Sequence, residues 1–175
     1  MNPVIFVSPC LLGQKVRWDG RSSLGDALFS RFIASGGSIV SLCPECAGGL
    51  PTPRAPCEIA AASGGAVLAG RAIVQDANGG DKTHQYLEGA RAALALCLAN
   101  RIRIAVLKDR SPACGVNFIH DGAFSGRVVR GEGVAAALLR RSGILVFDET
   151  QLVEAFEAAF ADQPGASSCG CGVAG

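Results

Sequence analysis

Four short apolar runs, separated by stretches with helical spacing, constrain this chain more than any other feature. The runs are residues 4–9, 38–42, 102–107 and 144–147. Each reads as a buried strand bounded by turn signals. Between them, Leu24, Leu28, Phe32 and Ile33 recur at helical spacing over residues 24–34, with Ser22 or Ser23 placed to cap. A long helix is predicted from Asp81 to Asn100, with Leu87, Ala90, Leu94 and Leu98 on its buried side. Another is predicted at 134–141, and a closing one after Thr150, marked by Leu152, Phe156 and Phe160. Strands alternating with helices imply a parallel sheet with right-handed crossovers. The expected fold class is therefore α/β, a single domain over residues 1–162 with a Rossmann-like, mainly parallel sheet flanked by helices. Residues 163–175 read as a flexible tail containing Gly and Cys. Residues 47–80, rich in Gly, Pro and Ala, read as an irregular excursion with a short hairpin around 67–74.

Parallel strands deliver their carboxyl ends to one edge, where ligands bind. Cys10 follows the first run, Cys43 the second, and Cys114 follows the third by a few residues. The three sulfurs should therefore meet although they lie far apart in the chain. Each stands in a loop carrying proline: Ser8-Pro9-Cys10, Cys43-Pro44-Glu45 and Ser111-Pro112-Ala113-Cys114. Proline fixes the backbone where a ligand must be held. Small free cysteines also pack like Ala or Val, and Cys97, at helical spacing from Leu94, reads that way.

Nothing at the amino terminus has the layout of a signal peptide, and no apolar run is long enough to span a bilayer. A cytoplasmic, reducing location is expected, with no membrane partner. Eight cysteines (10, 43, 46, 57, 97, 114, 169 and 171) then read first as metal or cluster ligands rather than disulfides. A structural zinc site needs two short-spaced pairs, for which Cys43 and Cys46 could supply one and Cys169 and Cys171 the other. Thiolates from three strand ends suit a 4Fe–4S cluster with one iron not ligated by protein. Residue spacing leaves that choice open. The net charge of +1 offers no broad field for nucleic acid.

The chain has only His84 and His120, so a cysteine hydrolase lacks an obvious base. Glu45, two residues past Cys43, is a candidate acid or base, and Ser111 stands at the third strand's edge. Glycine-containing loops around Ser23 and Ser125 lead towards helices that could hold an anion. Arg21, Arg54, Lys108 and Arg127 are nearby cations. Lys108, Ser125 and Ser23 are the candidate substrate-binding residues.

Several motifs occur in a telling order: Val7-Ser-Pro-Cys-Leu-Leu-Gly13, Val16-Arg-Trp-Asp-Gly20, Cys43-Pro-Glu45, Gly48-Gly-Leu-Pro-Thr-Pro-Arg54, Leu107-Lys108, Ser111-Pro-Ala-Cys-Gly115, Asp121-Gly and Phe124-Ser-Gly126. Over about residues 4–149 the chain resembles the thiouracil desulfidase family. The resemblance implies a 4Fe–4S cluster on Cys10, Cys43 and Cys114, with one iron free to take a substrate's sulfur. It implies Glu45 and Ser111 as the catalytic carboxylate and hydroxyl. The implied reaction is non-redox desulfuration of a thiolated pyrimidine base or nucleotide (4-thiouracil, 2-thiouracil or 4-thiouridine 5'-phosphate) to the oxo compound and hydrosulfide. Cluster-delivery machinery would be a partner. Alternatives are a tRNA thiouridine desulfidase and a non-catalytic zinc or redox-sensing module on Cys43, Cys46 and the tail. The chain departs from the family pattern at Cys46 and Cys57, where apolar residues are expected, and at Ala135, where threonine is frequent. Cys46 is thus the alternative to Cys43 as second ligand.

Overall fold

The computed structural model describes residues 2–23, 27–60 and 63–162. In chain order these form β1 (Val4–Val7), a 3-10 turn (Pro9–Leu12), α1 (Ala27–Ala34), β2 (Ser38–Ser41), α2 (Pro44–Ala47), β3 (Cys57–Ile59) and α3 (Gly64–Leu68). Then come β4 (Val74–Asp76), α4 (Thr83–Ala99), β5 (Ile104–Leu107), β6 (Phe118–His120) and β7 (Val128–Arg130). The last three are α5 (Val134–Arg141), β8 (Leu145–Asp148) and α6 (Leu152–Ala161).

The four long-range apolar runs make one parallel sheet in the order β2-β1-β5-β8. The α/β fold with a mainly parallel, helix-flanked sheet is thus as expected. Side chains alternate across it. Ile5, Val7, Ile104 and Val106 face α1 and α6, whereas Phe6, Ala105 and Leu107 face α4 and α5. After β1 the chain turns to β2 on one side, and after β5 it turns to β8 on the other. Connections leaving adjacent strands in opposite directions open a crevice at the carboxyl ends of β1 and β5.

Several local expectations need correction. The first strand ends at Val7, because Pro9 has no N–H for a ladder and instead opens the 3-10 turn. No hairpin forms around 67–74: Val67 lies in α3, and Val74 pairs with Ile59 across the antiparallel β3–β4 pair. Around Ser125, where a glycine-containing loop is expected, residues 118–130 fold back as the small antiparallel pair β6–β7. In α4, Asp81 accepts the Thr83 N–H at 2.8 Å, and the buried side is Tyr86, Gly89, Ala90, Ala93 and Cys97. Leu98, expected inside, is 61% exposed. The expected helix residue Leu24 and the tail with Cys169 and Cys171 lie outside the described residues.

Two glycines let backbones meet on the α4 side. A Cβ on Gly48 would stand 1.9 Å from Gln85 O, and one on Gly89 would stand 1.8 Å from Pro44 O. Only glycine permits that approach. It fixes α2, with Glu45 in its first turn, directly on α4. No helix among the described residues is long and apolar enough to cross a membrane.

Candidate functional site

The crevice at the ends of β1 and β5 is a cavity of about 570 Å3, within the range of small-molecule sites. Ser8, 2% exposed, joins the two strands beneath it. Its N–H donates to Val106 O at 3.0 Å, and its Oγ accepts the Lys108 N–H at 3.2 Å. The 3-10 turn then carries Cys10 to the cavity wall, the start of α2 brings Cys43, and the loop after β5 brings Cys114. Glu45, Ser111 and Lys108 line the same cavity. Six predicted residues from three loops therefore meet.

Burial disfavours the ionised form of each of the three thiols. The Cys10 thiol is raised by burial, partly offset by the Ser23 hydroxyl and the charges of Lys108 and Arg17. Burial pushes Cys43 up to about 12, with Glu45 and Cys46 adding repulsion. Cys114 is pushed well above the usual thiol range, first by burial and then by Cys43, with Cys10 and Glu45 adding. Three sulfurs that oppose one another's ionisation become thiolates readily only around a positive group. Among the described residues, no three His, Cys, Asp or Glu side chains gather closely enough to hold one metal ion. As a donor set, three thiols brought to one cavity from three strand ends suit an iron–sulfur cluster, whose usual ligands are cysteine thiolates.

Glu45 is held from one side. Arg54 Nη2 and Nε reach its Oε2 at 2.6 and 2.8 Å, with the Arg54 and Glu45 side chains 5% and 13% exposed. The guanidinium is itself fixed by Pro51 O, Thr52 Oγ1 and Val16 O. Burial disfavours the Arg54 charge, but Glu45 outweighs it and raises the group's hold on its proton. Arg54, expected to be a free cation for an anion, is therefore committed to Glu45. Such a fork leaves Glu45 Oε1 for other work, and Ser111 Oγ lies 3.3 Å from it. Ser111 Oγ also accepts the N–H groups of Ala113 and Cys114, both at 3.1 Å. A hydroxyl has two acceptor sites and one hydrogen. With both sites taken, the Ser111 hydrogen is directed towards Glu45 Oε1.

The loop after β5 is set by Asp109. Its Oδ1 accepts from Val116, Asn117 and Phe118 N–H at 2.7, 3.0 and 3.1 Å. Burial raises this carboxyl, but the backbone N–H groups of Asn117, Phe118, Val116 and Arg110 outweigh it and hold it below the ordinary carboxylate range. Lys108 Nζ pairs with Glu149 Oε1, whose other oxygen accepts the Asp109 N–H at 2.8 Å.

A family model described as 2-thiouracil desulfurase matches residues 5–151. The chain belongs to that family. Among solved structures, a [4Fe-4S]-dependent thiouracil desulfidase, TudS, is 45% identical, with a TM-score of 0.78 over 90% of this chain and 97% of that one. Uncharacterized protein YbbK of Bacillus subtilis (strain 168) is 40% identical over 149 residues, 85% of this chain and 97% of that protein.

The desulfurase-family cavity also has walls that residue patterns did not indicate. Trp18, Cys57, Glu58, Arg110, His120 and Phe124 line it. Trp18 and Phe124 sit within the ordered motifs, yet nothing in their spacing separates a wall residue from a core aromatic. Glu58, 8% exposed, accepts the Phe124 N–H at 3.0 Å and so ties two wall segments together. Ser23 and Ser125 do not line the cavity. Ser23 N–H donates to Cys10 O at 2.9 Å, and the Ser125 hydroxyl donates to Asp121 Oδ2 at 2.7 Å. Cys46 stands beside Cys43 without lining the cavity, and Ala135 is buried at the start of α5.

Proposed function

We propose that this chain removes sulfur from thiolated pyrimidines without net redox change, giving the oxo compound and hydrosulfide. Cys10, Cys43 and Cys114 would hold a 4Fe–4S cluster, with one iron unligated by protein. When bound, that cluster supplies a Lewis acid with affinity for the thiocarbonyl sulfur. The observation that carries the reading is the meeting of these cysteines with the Glu45–Ser111 pair in one cavity. A family member that is [4Fe-4S]-dependent, 45% identical, supports it. Cys43 is favoured over Cys46 as second ligand because Cys43 lines the cavity and Cys46 does not.

Glu45 does the proton work. Its Oε2 is engaged by Arg54, so its Oε1 takes a proton from the attacking water. Ser111 Oγ is pinned by two N–H donors, so its hydrogen moves only between Glu45 Oε1 and a group in the cavity. That makes it a conduit for returning the proton to a ring nitrogen. Lys108, on the cavity wall though paired with Glu149, is a candidate for contact with an anionic substituent. A cavity of about 570 Å3 accommodates a base or a mononucleotide. The substrates proposed are 4-thiouracil, 2-thiouracil and 4-thiouridine 5'-phosphate. A cytoplasmic, reducing setting and cluster delivery by other proteins belong to the same proposal.

Purified without air, the chain should be coloured and carry iron and acid-labile sulfide in equal amounts. Glu45→Ala should keep that iron yet release hydrosulfide about 100-fold more slowly or worse, as loss of a general base does. Cys114→Ala should lose the iron. A colourless chain with stoichiometric zinc, or a Glu45→Ala variant of full activity, would overturn the proposal.

A further inference from the structure

Cys46 is unused by that reading, yet the fold gives it a partner. Cys43, Pro44, Glu45 and Cys46 form a Cys-x-x-Cys segment closing one turn: Ala47 N–H donates to Cys43 O at 2.9 Å, and Gly48 N–H to Pro44 O at 2.9 Å. Helix geometry places Cα atoms three residues apart at about 5 Å, inside the 4.4–6.8 Å range of disulfides. Both sulfurs turn to the same side. Cys43 Sγ lies 4.0 Å and Cys46 Sγ 3.9 Å from one oxygen, Val16 O. Both are free thiols in this structure. The remaining described cysteines stand elsewhere: Cys10, Cys57 and Cys114 on other wall segments, and Cys97 in the core. The Cys46 sulfur, outside the cavity wall and half-buried, also touches Oγ1 of the exposed Thr52 at 3.5 Å.

We infer that Cys43 and Cys46 are a reversible dithiol–disulfide couple that answers to low-molecular-weight disulfides when the cavity is empty. The chemistry balances without a further reactant. The Cys46 thiolate attacks one sulfur of oxidised glutathione, breaking its S–S bond and releasing one glutathione thiolate. The Cys43 sulfur then attacks the Cys46 sulfur of the mixed disulfide, loses its proton to water and releases the second glutathione. The protein dithiol loses two electrons and two protons, and one glutathione disulfide becomes two thiols. The bridge occupies the Cys43 sulfur, so it also closes the site to a cluster. That consequence, unlike the couple itself, rests on Cys43 being a ligand.

The test uses the full chain, stripped of iron by chelation under reductant, exchanged into oxidised glutathione, alkylated and digested with trypsin. The peptide 32–54 holds both cysteines and should lose both alkylation sites together with two hydrogens. Peptides carrying Cys10 and Cys114 should stay alkylated. Dithiothreitol should restore both sites on 32–54. Cys43→Ser should trap glutathione on Cys46, and Cys46→Ser should leave Cys43 open to alkylation. Two alkylated sites on 32–54 after oxidation, or a bridge from Cys43 to another peptide, would overturn the couple. Iron uptake is read separately on the oxidised chain and should be lost until dithiothreitol is added. A bridged chain that takes up iron undiminished would leave the couple standing and remove Cys43 from the ligand set.

Discussion

On the α4/α5 face of the sheet, glycine and alanine let backbones touch, whereas on the α1/α6 face phenylalanine rings fill the gap. The first face holds Ala90, Ala93, Ala105, Ala113, Ala135 and Ala136, all nearly inaccessible. There Gly89 lies against Pro44, and a Cβ on Gly133 would stand 2.4 Å from Ala113 C and O. On the second face, Phe32 stacks on Phe156 at 4.7 Å, with Phe160 edge-on at 5.5 Å. Backbone contacts cannot adjust by rotamer change, whereas ring clusters can repack. The rigid face carries α2 and the Cys114 loop, so it sets the cavity's dimensions. The aromatic face packs the other side of the sheet and reaches the cavity through Cys10 and Val16.

Substitutions on the two faces should therefore separate site damage from loss of stability. Gly89→Val should have the largest effect. Its Cβ cannot coexist with Pro44 O, so α2 shifts, and both bound iron and hydrosulfide release should fall to background. Retained iron in this variant would show that α2 tolerates displacement. Phe32→Ala should cost about 3–5 kcal/mol in urea denaturation, as large aromatic truncations do. Iron per folded chain should be unchanged, and a loss in step with the unfolding energy would erase the distinction between faces.

Asp109→Ala should cost about 1–3 kcal/mol, because the N–H groups of Val116, Asn117 and Phe118 lose a charged acceptor. The pH dependence has a definite sign. The native carboxyl titrates below its unfolded value, so its stabilisation is complete above the unfolded value and is lost as pH falls through the native one. Comparing acid unfolding of wild type with Asp109→Asn checks this: the variant should lose part of the acid-side slope. Phe160→Ala should be smallest, less than about 1 kcal/mol by thermal melting, since Phe160 is 37% exposed.

The sheet was legible in the residues because each of its strands is a local apolar run, and parallel order followed from the helices between them. Meeting of Cys10, Cys43 and Cys114 followed from that order alone. The β3–β4 pair was illegible for the opposite reason: three-residue strands carry no period, and Ile59 finds Val74 only through tertiary packing. Arg54 was visible as a charge but not as Glu45's partner, because a proline-rich loop returns it to α2. The buried side of α4 was misread at Leu98 because close packing on small residues shifts the contact stripe towards Tyr86, Ala90 and Cys97.

Ser8 joins β1, made first, to β5, made after more than half of the chain. No nascent segment short of β5 has both walls of the crevice, and parallel strand pairing of this separation is slow. On the ribosome, the cavity is therefore a late product of synthesis. Whatever fills it must arrive after translation has passed the Cys114 loop, so loading waits for the last of the three strand ends that frame the cavity.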